Sequence, residues 1–272
     1  MNGNLLQRAI CLLLRTSCAL CGAGGDQTLC AACVAQFFGA AAAVPRCHCC
    51  ANPLGPGATG AMLCGHCLAH RPAFDRTLVA ADYALPVDQL VLQLKFGHRL
   101  ALAALMAQRL AAVVHAAPAP GQAEAEAEIQ RQRQVQAQVQ FQDQRQARPD
   151  WPDLLCPVPL GPRRLAQRGY NQALEIARPL GRALGLPVHA RLVARVRETV
   201  AQSSVPPERR RANIAGAFAV PLAALALLPG RHIGVVDDVM TSGGTLDEMA
   251  AVLKRHGAAR VSNLVFARTP PH

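Results

Sequence analysis

Asp237 and Asp238 stand side by side after a short apolar run, Ile233-Gly-Val-Val236, and before a loop that reads Thr241-Ser242-Gly243-Gly244-Thr245. Adjacent carboxylates at this place can accept hydrogen bonds from sugar hydroxyls. Gly243 and Gly244 let the backbone come close to a ligand, and Thr241, Ser242 and Thr245 add hydroxyl donors. A helix expected from about Thr245 to His256 would add free N–H groups and a positive dipole end. Such a set of donors suits a phosphate. The competing reading is an ordinary strand–loop–helix turn with acidic residues near the helix start.

A second chemistry is written in the cysteines. They pair as Cys18-x-x-Cys21, Cys30-x-x-Cys33, Cys47-x-x-Cys50 and Cys64-x-x-Cys67. A C-x-x-C hairpin aims two sulfurs at one point, and two hairpins close a tetrahedron around Zn²⁺. Four pairs make two Cys₄ sites. Short intervening loops favour sequential pairing, first with second and third with fourth. Cys49 is an alternative to Cys50, and His48 and His66 read as loop residues. Residues 18–67 hold little else to bury, so structural zinc supplies much of their folding energy. Buried free thiols and redox C-x-x-C chemistry are the weaker readings. Cys11 and Cys156 read as core thiols.

A third cluster, Arg163-Arg164-Leu-Ala-Gln-Arg168-Gly169-Tyr170-Asn171-Gln172, precedes a helix expected to reach Leu184 and to kink at Pro179. Arg168 offers a bidentate fork and Gly169 close backbone approach, which suit a diphosphate. A solvated basic turn is the alternative. Residues 197–213 carry Pro206-Pro207 and Arg209-Arg210-Arg211 and read either as a surface loop or as a loop that closes over a bound diphosphate.

The elements that must hold these groups alternate. Strands are expected over 74–84, 154–159, 187–195, 217–220, 231–236 and 260–267. Helices are expected from Pro86 to about Gly97 and over 100–114. Strands alternating with helices indicate a parallel α/β sheet, whose ligands sit at the C-terminal strand ends. Lys95, one of only two lysines, ends a helix and reads equally as a surface lysine or a phosphate contact. Residues 1–17 read as a short amphipathic helix. Residues 116–150, rich in alternating Gln, carry almost no apolar mass and read as a low-complexity insertion outside the chemistry. The expected division is therefore 1–17 helix, 18–70 cysteine module, 71–115 start of the α/β domain, 116–150 insertion, and 151–272 its remainder.

The formal charge of +11, from 28 basic against 17 acidic residues, is carried almost wholly by arginine. It fits a surface that attracts phosphates or nucleic acid, and it fits an arginine-biased composition equally. The few aromatics (7 Phe, 2 Tyr, 1 Trp) disfavour extended base stacking. No apolar run is long enough to span a bilayer, and Ile10–Leu14 is too short for a secretory core. A cytoplasmic location without membrane insertion is expected.

The stretch from Ile233 to Thr245 resembles the ribose-phosphate signature of type I phosphoribosyltransferases at every position. Three features together resemble the ComF family of competence-associated, phosphoribosyltransferase-like proteins: the four cysteine pairs, Arg168-Gly-Tyr-Asn-Gln172, and Val235 to Leu246. Leu94-Lys95-Phe96-x-His98, Pro157-Val-Pro159, and Gln202 with Arg209 and Asn213 add to it. Departures are Ala51, where the family often has Gly, and the Gln-rich insertion. The resemblance implies a type I phosphoribosyltransferase-like parallel sheet flanked by helices, with a small N-terminal zinc-ribbon module. It implies binding of phosphoribosyl pyrophosphate (PRPP) with Mg²⁺. Asp237 and Asp238 would hold the ribose, Thr241 to Thr245 the 5-phosphate, and Arg168 with Gly169 the diphosphate. It leaves open whether catalysis occurs. The rival reading is a PRPP- or nucleotide-sensing adaptor that docks single-stranded DNA or DNA-uptake proteins. Oxopurine-specific relatives carry an acid at the position of Thr241, and its absence argues against that specificity.

Overall fold

The computed structural model describes residues 16–39, 44–55, 57–58, 62–117, 151–198 and 214–270. Residues 1–15 of the expected N-terminal helix, residues 118–150 of the insertion, and the Arg209–Arg211 run lie outside the described residues. The first described elements form a small ribbon, β1 (Thr16–Ser17) antiparallel to β2 (Gly24–Gly25). Two short helices follow, α1 (Ala31–Val34), which runs into a π-helical turn at Ala35–Gly39, and α2 (Gly65–Ala69). Cys30 caps α1 and Cys64 caps α2 in extended conformation, so the second pair of each cysteine set rides on the first turn of a helix.

The main body contains β3 (Arg76–Asp82), α3 (Val87–Phe96), α4 (Ala101–Ala116), β4 (Leu154–Pro157), α5 (Pro162–Arg168) and α6 (Gln172–Leu184). After these come β5 (Ala194–Arg195), β6 (Phe218–Ala219), a 3₁₀ turn at Leu222–Leu227, β7 (His232–Met240), α7 (Gly244–Arg255) and β8 (Arg260–Arg268). Four strands form one sheet in the order β3-β8-β7-β4, and every pairing is parallel. A parallel sheet needs both faces covered, and its strands accordingly read as near-continuous apolar runs. Leu154 to Pro157 are all buried, as are Val261 to Arg268.

Alternate residues of β7 and β8 point to opposite faces. Val235 and Val265 join one apolar cluster with Leu246, Met249 and Leu253 of α7 and with Cys47, Cys50 and Cys67. Val236, Leu264 and Phe266 join the other, with α3, α4, α6, Cys18 and Cys33. The two cysteine sets therefore pack on opposite faces of one sheet.

The structure corrects several local expectations. β7 does not stop before the acids: it runs to Met240, with Asp237 opposite Val265 and Met240 opposite Arg268. Partners on β8 extend the strand past the point where the apolar pattern ends. The arginines Arg163, Arg164 and Arg168 lie on a helix of their own, α5, ended by Gly169 in the left-handed region (φ 76°). Pro179 neither splits nor ends α6. An interior proline costs a helix about 3 kcal/mol, which is offset by burying Ile176, Leu180 and Leu184 at roughly 1.5–3 kcal/mol each. The stretch 187–195 is mostly not strand. Val188 makes a single bridge to Leu155, and only Ala194–Arg195 pairs, with β6.

Candidate functional site

The C-terminal ends of β4 and β7 open into a cleft of about 430 Å³. Asp237, Asp238 and every residue from Thr241 to Thr245 line it, together with Arg168. Gly169, which the sequence placed beside Arg168, is not among the lining residues, and it serves as the left-handed stop of α5.

The loop owes its shape to Gly243. Its φ is 82°, and a Cβ there would meet Met240 Cε at 2.6 Å. The positive φ favours glycine, whereas the Met240 methyl end could shift aside. Gly243 also stands at the N-cap of α7 with no side chain capping it. The first N–H groups of the twelve-residue helix thus lack a capping side chain where the Thr and Ser hydroxyls gather.

The two acids differ. Asp238 is buried, and its Oδ2 lies 2.9 Å from Lys95 Nζ, an ion pair that lacks hydrogen-bond geometry. Asp237 is half-buried, and its Oδ1 accepts from Asp238 N at 2.9 Å. Burial, reinforced by the adjacent Asp238, pushes the Asp237 carboxyl up to about 8, against the pull of Lys95. The reading of Lys95 as a plain surface lysine is thereby set aside: α3 delivers it to the acid pair and to the lining of the cleft.

The Arg168–Gln172 segment is a frame for the cleft. Tyr170 Oη donates to Leu94 O, next to Lys95. Asn171 caps α6, accepting from Ala173 N (3.0 Å) and Leu174 N (3.4 Å), while its Nδ2 donates to Val158 O at 3.0 Å. Arg168 Nη1 donates to Gln172 Oε1 at 2.9 Å, and its guanidinium lies 5.2 Å from the centre of the exposed Phe96 ring. Gln172 is buried, and its Nε2 has no partner among the described residues although the residue lines the cleft.

Sequence reasoning missed Arg195 as a site residue. It reaches the cleft from β5, over the Phe218 ring at 5.4 Å, and burial lowers its pKa, with Arg164 adding to the effect. No local pattern marks it, because β5 is placed only by pairing with β6. Lys95 and Gln172 were visible as parts of Leu94-Lys95-Phe96 and Arg168–Gln172, yet their contacts were not.

The cysteine pairs assemble sequentially. Cys18, Cys21, Cys30 and Cys33 form one set, and Cys47, Cys50, Cys64 and Cys67 the other, with the sulfurs of each set within 4.8 Å of one another. A tetrahedron with metal–sulfur bonds of about 2.3 Å has edges of about 3.8 Å. Cys21 and Cys30 Sγ are 3.7 Å apart, and Cys50 and Cys64 Sγ 3.5 Å, so each set could hold a zinc ion. Cys49 stays out of both sets: its thiol donates to Phe74 O (3.6 Å), and burial pushes it up to about 11. His48 and His66 belong to neither set.

The thiol electrostatics fit a cation. Burial opposes ionisation of Cys18, but donors including Cys30 N (3.4 Å from Sγ) outweigh it and bring the thiol to about 6. Cys47 is likewise lowered: burial is again overcome, here by N–H donors that include Cys64 N at 3.3 Å. Cys33 and Cys50 are both pushed up to about 12, first by burial and also by the charge on a neighbouring cysteine. Four thiolates in one place need a metal to ionise together.

A profile of the phosphoribosyl transferase domain matches residues 168–271. The fold and the profile together define a phosphoribosyltransferase-like protein carrying a cysteine-rich module compatible with a zinc ribbon. The chain is 33% identical to the DNA utilization protein YhgH of Escherichia coli K12 over 207 residues, 76% of this chain and 78% of that protein. It is 28% identical to competence protein F of Haemophilus influenzae over 205 residues, 75% and 78% of the two chains. A short match of 36 residues, 58% identical, links it to ribose-phosphate pyrophosphokinase 4 of rice, covering 13% of this chain and 11% of that one. The chain belongs to the ComF family of phosphoribosyltransferase-like competence proteins. Among the described residues no helix is long and apolar enough to cross a membrane.

Proposed function

We propose that this protein binds PRPP in the cleft at the ends of β4 and β7 and transfers its phosphoribosyl group with release of diphosphate. The observation that carries the reading is that one cleft gathers the acid pair, the whole Thr241–Thr245 loop and three arginines, Arg164, Arg168 and Arg195. Asp237 and Asp238 hold the ribose hydroxyls. The loop and the start of α7 take the 5-phosphate, and the arginines neutralise the diphosphate as it leaves. The bond from the anomeric carbon to the diphosphate oxygen breaks with its electron pair on the oxygen, and an acceptor nucleophile forms the new bond. Positioning and electrostatics suffice for such a step, with no protein nucleophile. Bound Mg²⁺ would neutralise diphosphate charge, and Asp237 and Asp238 are the carboxylates that line the cleft among the described residues. Residues 18–70 serve as the zinc-bearing module, and 71–115 with 151–272 as the phosphoribosyltransferase-like domain. Free thiols in such number suit a reducing cytoplasm.

Calorimetry of PRPP with and without Mg²⁺, on the wild type and on Asp237→Asn/Asp238→Asn, tests the reading. Mg²⁺-dependent binding that disappears in the double variant is expected. Absence of binding by folded, zinc-loaded wild type would sink it.

A second reading has the same cleft sense PRPP or a nucleotide while the basic surface docks single-stranded DNA or a DNA-uptake protein. The charge of +11 and the exposed Phe96 beside Arg168 favour it, as does the relative named for DNA utilization. Salt-dependent DNA binding that survives Asp237→Asn/Asp238→Asn supports this reading, whereas diphosphate release that requires both acids supports the enzyme.

A further inference from the structure

We propose that Arg268 is a positioning residue that ties the second cysteine site, Cys47/Cys50/Cys64/Cys67, to the phosphate loop. The inference rests on the reading of residues 241–245 as a phosphate loop. Arg268 is the last residue of β8, opposite Met240 of β7 in the sheet register, and only 6% exposed. Its Nε donates to Cys50 O at 3.1 Å. Its Nη1 donates to Met240 O at 3.1 Å, to Thr269 O at 2.7 Å and to Thr241 O. One planar group thus grips the cysteine knuckle with one nitrogen and the entry to the loop with another.

The grip has a consequence for the loop. In a trans peptide the C=O and the following N–H point in opposite directions. Holding Met240 O and Thr241 O toward Arg268 turns the N–H groups of Thr241 and Ser242 away from it, and both residues line the larger cleft. Arg268 of β8 thus holds the orientation of these two donors from outside the loop, in addition to the turn that Gly243 makes.

Electrostatics supply the link to the metal. A buried guanidinium needs compensation, and among the described residues no carboxylate pairs with Arg268. Four thiolates around one Zn²⁺ carry a net charge of about −2. Cys50, Cys67 and Arg268 line one cleft of about 280 Å³ together with Ser242, Gly243 and Gly244. The loop therefore separates two clefts, and Arg268 stands between the metal site and the loop. Cys18, Cys21, Cys30 and Cys33 line neither.

Hydrogen exchange on the ligand-free, full-length, zinc-loaded protein tests the tie, followed through a peptide covering 240–246. Arg268→Gln is expected to speed exchange there on the order of tenfold and to weaken PRPP binding by a similar factor, with Arg268→Lys restoring part of both. Cys64→Ser, which should lose one zinc equivalent, is expected to speed the same peptide. In the double variant the two effects should not add. Unchanged loop exchange in Arg268→Gln, or full additivity with Cys64→Ser, overturns the proposal. Should Arg268→Gln fail to fold, the Arg268→Lys and Cys64→Ser pair decides by the same additivity criterion. Wild-type protein that binds no PRPP overturns the functional reading alone, because the exchange measurement uses no ligand.

Discussion

The two four-cysteine sites share one plan and meet the sheet from opposite sides. Each joins an N-terminal knuckle to a pair on the first turn of a short helix, and each draws one thiol below its usual range with backbone N–H donors. Their surroundings differ. The first site leaves Cys21 exposed and packs through Leu29 and Phe38, whose ring sits 6.0 Å from that of Phe266, on the face covered by α4 and α6. The second buries Cys47, Cys50 and Cys67 among Phe74, Met240 and Leu246, on the face of α7, and touches Arg268. Equal sets of ligands thus stand in unequal surroundings. The first site packs on the sheet face of α4 and α6, whereas Cys50 and Cys67 of the second line a cleft together with Ser242, Gly243 and Gly244.

The largest expected effect tests that inequality directly. Cys67→Ser should lose one zinc equivalent, reduce stability by more than about 4 kcal/mol and abolish PRPP binding, because it removes a fully buried ligand next to the loop. Cys21→Ser should also lose one zinc equivalent but keep PRPP binding within a few-fold. Metal content, thermal melts and calorimetry read the contrast, and equal losses of binding in both variants would break the comparison.

Next in size is the docking of the second site. Arg46 Nη1 bridges Ala51 O (3.2 Å) and Asp82 Oδ1 (3.0 Å), joining the cysteine knuckle to the end of β3. The ion pair is largely shielded, with side chains 13% and 33% exposed. Arg46→Met should cost about 2 kcal/mol in denaturant unfolding, and a change below ~0.5 kcal/mol would show that the knuckle docks through its apolar contacts alone.

In the larger cleft, pH supplies the probe. The Asp237 carboxyl is raised to about 8, against about 3.9 in an unfolded chain. Between these values the native protein binds more protons than the unfolded one, so unfolding free energy of the ligand-free protein should fall as pH rises from 4 to 8. The fall follows from the proton held by the native state, and Asp237→Asn should flatten it. A slope that persists in Asp237→Asn would assign the titration elsewhere.

The smallest effect concerns Ala51, which follows the third cysteine pair with φ at 57° and is buried. A left-handed alanine costs roughly 1–2 kcal/mol, and its buried methyl returns about 0.8 kcal/mol. Ala51→Gly should therefore stabilise the second site's side of the molecule by about 0.5 kcal/mol, seen as a small rise in melting temperature. The strain gives a reason for the glycine expected at this position.

Much of this molecule was legible because its chemistry is local. The cysteine spacings specified which sulfurs meet, and short loops made the pairing sequential. The strand, two acids, glycine loop and helix are consecutive in the chain, so their order alone assembled one side of the cleft. Local pattern also misled where neighbours overruled it: β7 continued through the acids because β8 offered partners, and α6 passed through Pro179 because its apolar face is buried.

The sequence by itself determined the local modules: two sets of four cysteines and a glycine-rich turn at a strand end. Only the tertiary structure decided what joins them. Lys95 reaches Asp238 from α3, Arg195 reaches the cleft from β5, and Arg268 donates both to Cys50 O, 218 residues away, and to Thr241 O. Spacing governs groups on one hairpin or one turn, because backbone geometry fixes their separation. Contacts between distant segments follow instead from which faces the sheet must bury, and that is settled only when the whole core packs.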